Sequence, residues 1–281
     1  MRVTPFKTIQ QLLVDQLPSG FFCLLPDKWE KIGDVVIIKL PDILKHYQEL
    51  IGKTYAEVLG CKTALNDTGG ITGVYRTPQV EVLSGSPHTE TIHTENGVRY
   101  KLDPQKIMFS SGNMAERKRM GTIAQPTETV VDLFAGIGYF SLPMAKYSQP
   151  KKIVACEMNE TAYQYLCDNI VLNHVTTIIE PILGDNRATA PKDCAQRVVM
   201  GYFEQPYRFL PVAFECLKHH QGILHYHDAV PIEAIPDKPL KDVTKAAKKY
   251  NRSATMLSCR TIKSYAPDID HVVLDIKIGE L

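Results

Sequence analysis

Apolar positions beyond about residue 105 follow two rhythms. Short strand-like runs, TVVDLF (129–134), KIVACE (152–157), TTIIEPILGD (176–185), RVVMGY (197–202) and GILHYH (222–227), alternate with helical stretches. The helical stretches run from about Phe140, from about Glu160 to Asn173 and from about Arg208 to Lys218. Such alternation predicts a parallel sheet with crossover helices. Two last runs, TIKSYAP (261–267) and HVVLDIKI (271–278), are separated only by Asp268-Ile269-Asp270 and predict an antiparallel pair closing the sheet edge. The first third has another texture. DVVIIKLP (34–41), QVEVLSG (79–85) and TIHTENGVRYKLD (91–103) are short β-like runs between turn residues. Asn96-Gly97 predicts a two-residue hairpin, because both residue types accept positive φ. The chain is therefore expected to divide into a small mixed α+β domain, residues 1–105, and an α/β domain, residues 106–281.

Composition narrows the function classes. The 281 residues are 44% hydrophobic and 22% charged, an ordinary balance for a soluble chain with a substantial core. A net charge of +1 supplies no global basic field, so charge neither demands nor excludes RNA. The seven cysteines are scattered without a C-x-x-C pair, which points to a reducing cytoplasm and to no zinc site. The opening MRVTPFKTIQQLL lacks the apolar core and cleavage site of an export signal, and no eighteen apolar residues run together. A cytoplasmic protein without a membrane span is expected.

The stretch VVDLFAGIGYFSLP (130–143) reads as strand, tight turn and helix. A nucleotide-binding βα turn needs glycine where a side chain would keep the ligand from the backbone amides, and Gly136 and Gly138 meet that need. The third glycine of G-x-G-x-x-G would fall at Ser141. Three acidic strand ends sharpen the signal: Asp132 on the first strand, Glu157 nineteen residues beyond Gly138, and Asp185 after the next strand. Any one of these is commonly a helix N-cap. Together they suit a ligand with ribose hydroxyls, an adenine amine and a cationic amino-acid tail, as in S-adenosyl-L-methionine. A nicotinamide or flavin site and a scaffold without a site are the alternatives.

The segments MFSSGNMAERKRM (108–120), DLFAGIGYFSLP, ACEMN, GDNRA, RVVMGY, GILHYHDAVP and KSYAPDIDHVVLD together resemble the archaeal tRNA wybutosine-synthesising 3-amino-3-carboxypropyl transferases, relatives of the tRNA guanine-37 N1-methyltransferases. The resemblance implies a Rossmann-like class I S-adenosylmethionine-dependent transferase domain behind the small N-terminal domain. It implies transfer of the aminocarboxypropyl group to a tricyclic guanine (4-demethylwyosine) at position 37 of phenylalanine tRNA, with methylthioadenosine released. It places Ser110 and Arg117 at the methionine portion or the substrate, Glu157 at the ribose, and Asp185 with Asn186 at the adenine, with Asp132, Phe134, Gly136 and Gly138 also in the cofactor site. An arginine fork suits a carboxylate; the bland alternative for Arg117 is a solvated charge run, Glu116 to Arg119.

Two departures bear on the reaction. Where the methyltransferase relatives carry an Asn-Pro or Asn-Leu-Pro segment, this chain has Met200-Gly201-Tyr202, the form associated with aminocarboxypropyl transfer. Gln196 precedes Arg197 where an aspartate is expected, which puts a salt bridge there in doubt. Asp132, Asp228 and Tyr202 are candidates by location for the base that removes the acceptor's proton, and Arg117 is a further candidate for a catalytic role. His225 and His227 share one face of a strand but have no third ligand at recognisable spacing, so no metal is expected.

RNA contact must come from local charge. Lys238, Lys241, Lys245, Lys248, Lys249 and Arg252 crowd one segment, joined by Lys118, Arg119, Lys151 and Lys152; the bland alternative is a solvated helix face. The expected partner is the anticodon loop of tRNA-Phe, not DNA and not a membrane. The additional N-terminal tRNA-recognition domain of the methyltransferase relatives is not expected here. A guanine N1-methyltransferase and a non-enzymatic RNA-binding scaffold are the competing functions.

Overall fold

The computed structural model describes residues 3–281, which fall into two compact units divided between Ser111 and Gly112. The segment between residue 105 and Ser111 clusters with the first unit.

In the first unit, helix α1 (Pro5–Leu13) opens on Thr4, whose hydroxyl accepts from Lys7 N, with Pro5 in the first turn, where its missing N–H costs nothing. Strands β1 (Glu30–Ile32) and β2 (Val35–Ile38) lead to α2 (Gln48–Leu59), which ends on Gly60 in the left-handed region. Strands β3 (Thr63–Thr72) and β4 (Thr77–Gly85) complete a sheet of order β1-β2-β3-β4, in which only the β2–β3 pair is parallel. Ile9, Leu13, Val36, Ile38, Leu44, Ile51, Tyr55 and Leu83 form its core. The expected hairpin is present: β5 (Thr91–Glu95) and β6 (Val98–Leu102) join through Asn96 (φ 48°) and Gly97 (φ 75°).

The second unit begins with α3 (Met114–Met120) and β7 (Thr129–Asp132). The helix expected from Phe140 is short, α4 (Ser141–Pro143), and continues as one π-helical turn, Met144–Ser148. Next come β8 (Lys152–Glu157), α5 (Glu160–Leu172), β9 (Ile179–Leu183), α6 (Asn186–Thr189), β10 (Arg197–Met200) and α7 (Leu210–Cys216). The chain ends with β11 (Gly222–Pro231), α8 (Asp237–Lys249), β12 (Arg252–Ala266) and β13 (Ile269–Glu280).

The sheet order is β12-β13-β11-β10-β7-β8-β9. Neighbours from β11 through β9 are parallel, and β13 is antiparallel to both β11 and β12, so the predicted closing pair forms one edge. This is the expected Rossmann-like α/β fold. Val131, Val198, Leu224, Val272 and Leu274 of the strands pack with Phe214 of α7 and Val243 of α8. Strand order reverses between β7 and β10, and in open α/β sheets such a switch point leaves a crevice at the carboxyl ends of the strands.

Candidate active site

At that crevice β7 ends and the glycine turn begins. Leu133 N donates to Val199 O and Ala135 N to Cys156 O, which carries the chain over both neighbouring strands before it turns. Gly136 and Gly138 have φ of 56° and 98°, where L side chains are strained. A Cβ at Gly136 would lie 2.4 Å from Tyr139 Cε2, and one at Gly138 2.6 Å from Leu142 Cγ and 3.2 Å from Leu166 Cδ1 of α5. Gly138 thus permits the close approach of helix to strand. Ser141, where a third glycine was absent, donates its hydroxyl to Asp132 Oδ2 at 2.7 Å.

The three acidic strand ends have three different environments. Asp132 is 1% exposed and accepts from Ser141 and, more weakly, from Phe134 N at 3.3 Å; burial pushes its pKa up to about 6. Glu157 accepts from Gly136 N through Oε2 at 2.8 Å and from Asn159 N through Oε1 at 2.7 Å, and burial raises its pKa. It therefore braces the glycine turn against the start of α5. Asp185 is the N-cap of α6, accepting from Arg187 N, and its carboxylate also receives the Arg187 side chain, whose hydrogen bonds lower its pKa. Beside it, Asn186 donates Nδ2 to Leu133 O at 2.7 Å, while its buried Oδ1 has no hydrogen-bond partner. A buried bare acceptor at a strand end fits an N–H donor from a ligand.

The end of β10 forms the facing wall. Phe134 and Tyr202 stack with centroids 4.8 Å apart and planes at 12°, and Phe209 meets both edge-on. Gly201 lies under Phe140, whose Cε2 would be 2.7 Å from a Cβ there. Phe140 in turn stacks on the buried His227 at 5.2 Å.

The charge run on α3 is not a solvated face. Glu116 and Arg117 are each 2% exposed, and only Lys118 is fully exposed among the charged residues of the run. Arg119, expected among the RNA-facing cations, directs its guanidinium to Glu116 and Asp275. Asp228, a candidate base, accepts from Lys238 Nζ at 2.7 Å and from Ala229 N at 2.9 Å. Tyr202 Oη approaches Glu204 Oε2 at 3.5 Å. Ser110 belongs to the first unit; its neighbour Ser111 donates to Glu30 within that unit.

Comparison with known proteins resolves the family. The TRM5/TYW2 methyltransferase domain matches residues 91–255, and the TYW2 N-terminal domain matches residues 9–89. The tRNA(Phe) (4-demethylwyosine(37)-C(7)) aminocarboxypropyltransferase of Methanocaldococcus jannaschii is 47% identical over 254 residues, covering 90% of this chain and 99% of that protein. The chain belongs to the TRM5/TYW2 family. The crystal structure of Pyrococcus horikoshii TYW2 in complex with MeSAdo matches this fold with a TM-score of 0.88 and 39% identity, covering 98% of this chain and all of that one. The tRNA (guanine(37)-N(1))-methyltransferase Trm5b of Pyrococcus abyssi is 36% identical and covers 94% of this chain, which spans 78% of it.

Within this TRM5/TYW2 chain the lysine-rich segment is helix α8. Pro239, Val243 and Ala247 recur every fourth residue and are buried, leaving Lys241, Lys245, Lys248 and Lys249 exposed on the other side. Lys238 is taken up by Asp228 and Asp242, and Arg252 donates to the Asn251 and His219 carbonyls. Lys152 pairs with Glu180. Among the described residues no group of side chains is arranged to hold a metal ion, and no helix is long and apolar enough to cross a membrane. His225 and His227 share a face as expected, but each faces its own partner: Asp275 and Arg197 for His225, His271 for His227. Tyr226 lies in the core on the opposite face.

Sequence reasoning missed the partners that lie far along the chain. Arg197 forms a two-bond pair with Glu128 at 2.9 and 3.0 Å, so an ion pair exists there even though Gln196 replaces an acid; Gln196 Oε1 instead accepts from Thr129 N. Glu116 and Asp275 had no local signal, since each acquires its role from a strand or helix distant in sequence.

Proposed function

We propose that this protein transfers the 3-amino-3-carboxypropyl group of S-adenosyl-L-methionine to the tricyclic guanine at position 37 of tRNA-Phe and releases methylthioadenosine. The observation that carries this reading is the likeness, over nearly the full length of both chains, to the M. jannaschii protein named for that reaction. The solved P. horikoshii relative in complex with MeSAdo supports the same donor chemistry. The donor supplies an electrophilic carbon on a cationic sulfur. This chain's own groups do the rest.

In this reading Glu157 accepts from the ribose hydroxyls, using lone pairs left beside the Gly136 and Asn159 amides. Asn186 Oδ1 takes the adenine amine, and Asp185 caps the helix that presents it. Gly136 and Gly138 keep side chains out of the turn, Phe134 lines it, and Asp132 attracts the cationic tail. Arg117 grips the carboxylate of that tail. Which of three carbons is transferred depends on which lies in line with the acceptor, so the grip on the amino-acid chain is the selective element. The exposed lysines of α8, with Lys118, track phosphates of the anticodon arm, and unpaired loop bases are reached without melting a duplex. A tRNA-modifying role places the protein in the cytoplasm.

A guanine N1-methyltransferase is the second reading, favoured by the 36% identity to Trm5b and opposed by Gly201-Tyr202 at the end of β10. Chromatography of the spent donor separates the two. Methylthioadenosine formed only with tRNA bearing the tricyclic base, and tRNA gaining the mass of an aminocarboxypropyl group, is the expected result. tRNA-dependent S-adenosylhomocysteine as sole by-product overturns it.

A further inference from the structure

We propose that Arg119 and Asp275 are positioning residues for the transfer, acting through α3 on Arg117; the inference rests on the proposed function. The Arg119 guanidinium uses two edges at once. Nε and Nη2 donate to Glu116 Oε2 and Oε1 at 2.8 and 2.6 Å, and Nη1 and Nη2 donate to Asp275 Oδ2 and Oδ1 at 2.8 and 3.2 Å. Asp275 on β13 is itself fixed from both neighbouring strands: it accepts from His225 Nδ1 of β11 at 2.5 Å, and from Ser258 Oγ and Arg260 Nη1 of β12 at 2.8 and 2.9 Å. His225 is fixed in turn, its Nε2 facing Arg197 Nη1 of β10 at 2.7 Å.

A planar fork bound on two edges admits essentially one orientation. Glu116 and Arg119 lie one turn apart on α3, so their pair fixes the guanidinium on the helix, and the helix cannot rotate or slide over the sheet without breaking the Arg119–Asp275 pair that ties it to β13. Arg117 sits between them, buried. A network of buried charges is a poor device for stability alone, since well-packed apolar residues of similar volume serve as well or better. What it supplies is a single arrangement. The same network reaches the acceptor wall, because His227 Nε2 lies 3.9 Å from Glu116 Oε1 and its ring backs Phe140, under which Gly201 packs. Transfer of one carbon out of three demands such fixity of the carboxylate clamp, and a misplacement of roughly 1 Å costs on the order of 100-fold in rate.

The test uses the full chain with S-adenosylmethionine and tRNA-Phe carrying the precursor base, comparing wild type with Asp275→Asn and Arg119→Lys. The expected result is a fall in kcat of about 30-fold or more, with KM for tRNA and the Kd for methylthioadenosine within about threefold of wild type. A folded Asp275→Asn protein with near-wild-type kcat overturns the proposal. So does a loss of kcat that only tracks the folded fraction measured by circular dichroism, or one matched by equal losses in both affinities. If Asp275→Asn does not fold, Arg119→Lys, which keeps the charge and loses the double fork, decides alone. The by-product of the wild-type reaction is identified in the same assay: S-adenosylhomocysteine would overturn the proposed function, while the kcat ratio would still report on positioning.

Discussion

Replacing Glu157 by Gln separates a ligand contact from a structural brace. In the folded chain each carboxylate oxygen already accepts one backbone N–H, Oε2 from Gly136 and Oε1 from Asn159. Each oxygen keeps a second lone pair, enough for one ribose hydroxyl apiece. A charge-assisted hydrogen bond contributes about 1.5–3 kcal/mol and a neutral one about 0.5–1.5 kcal/mol. Glutamine keeps one carbonyl acceptor, replaces the other by an NH2 that can only donate, and carries no charge, so both charge-assisted bonds to the ribose are lost and only neutral ones can remain. The loss is roughly 2–4 kcal/mol, or about 30- to 1000-fold in Kd. One backbone donor also loses its acceptor, which destabilises the fold by about 1–3 kcal/mol. Calorimetry with S-adenosylmethionine and with methylthioadenosine reads the first effect, and both ligands should weaken alike because both carry the ribose. Thermal unfolding reads the second. A Glu157→Gln protein that melts earlier yet binds both ligands within about threefold of wild type would refute the ribose assignment and leave Glu157 as a brace of the glycine turn.

The remaining predictions concern charge. Asp132 has a folded pKa pushed by burial from 3.8 to about 6, so the folded state holds its proton more tightly than the unfolded chain, and this group's contribution to stability is lost as pH rises from about 4 to 6. Asp132→Asn should therefore gain on the order of 3 kcal/mol over wild type at pH 7.5 and nothing near pH 3.5, as read by urea unfolding at the two pH values; equal differences at both would refute the burial argument. In wild type, affinity for S-adenosylmethionine should rise through about pH 6 as Asp132 ionises, beyond any rise shown by methylthioadenosine, which lacks the cationic tail. Filter binding across a salt series should show a shallower slope, by about 1–2, for the Lys245→Ala, Lys249→Ala double variant with unchanged cofactor affinity; an unaltered slope returns α8 to a solvated face.

Much of the second unit was legible because its signals are local: each strand from β7 to β11 is a compact apolar run, and the glycine turn is written in adjacent residues. In the first unit Asn96-Gly97 likewise marks its own hairpin. The cap role of Asp185 was legible too, as one of two alternatives, since it is decided by Arg187 two residues away. What the sequence concealed depends on distance along the chain. Arg119 looks like its exposed neighbour Lys118 until β13, 156 residues later, brings Asp275 beneath it. The hydrogen bonds between Arg197 and Glu128 bridge 69 positions, and no spacing rule reaches that far. A charge run is usually solvated, and here burial overrides the rule for Glu116 and Arg117, and pairing with Asp275 for Arg119, but nothing overrides it for the exposed Lys118.

That override also locates where two chemistries on one fold can diverge. In the proposed function the adenosine portion is held by the glycine turn, Glu157 and the strand-end acceptors, and nothing in that set distinguishes one carbon on sulfur from another. Selection must come from groups that fix the amino-acid chain and from the wall that fixes the acceptor. In the proposed function the first is Arg117 on α3, beside the Arg119 fork, and the second is Gly201-Tyr202, packed on Phe140 and Phe134. The two are not independent. Glu116 of α3 faces His227, His227 backs Phe140, and Phe140 leaves room for no side chain at position 201. A side chain there would displace Phe140 and disturb the same stack that borders α3, so the proposed donor clamp and the proposed acceptor wall share one buried assembly.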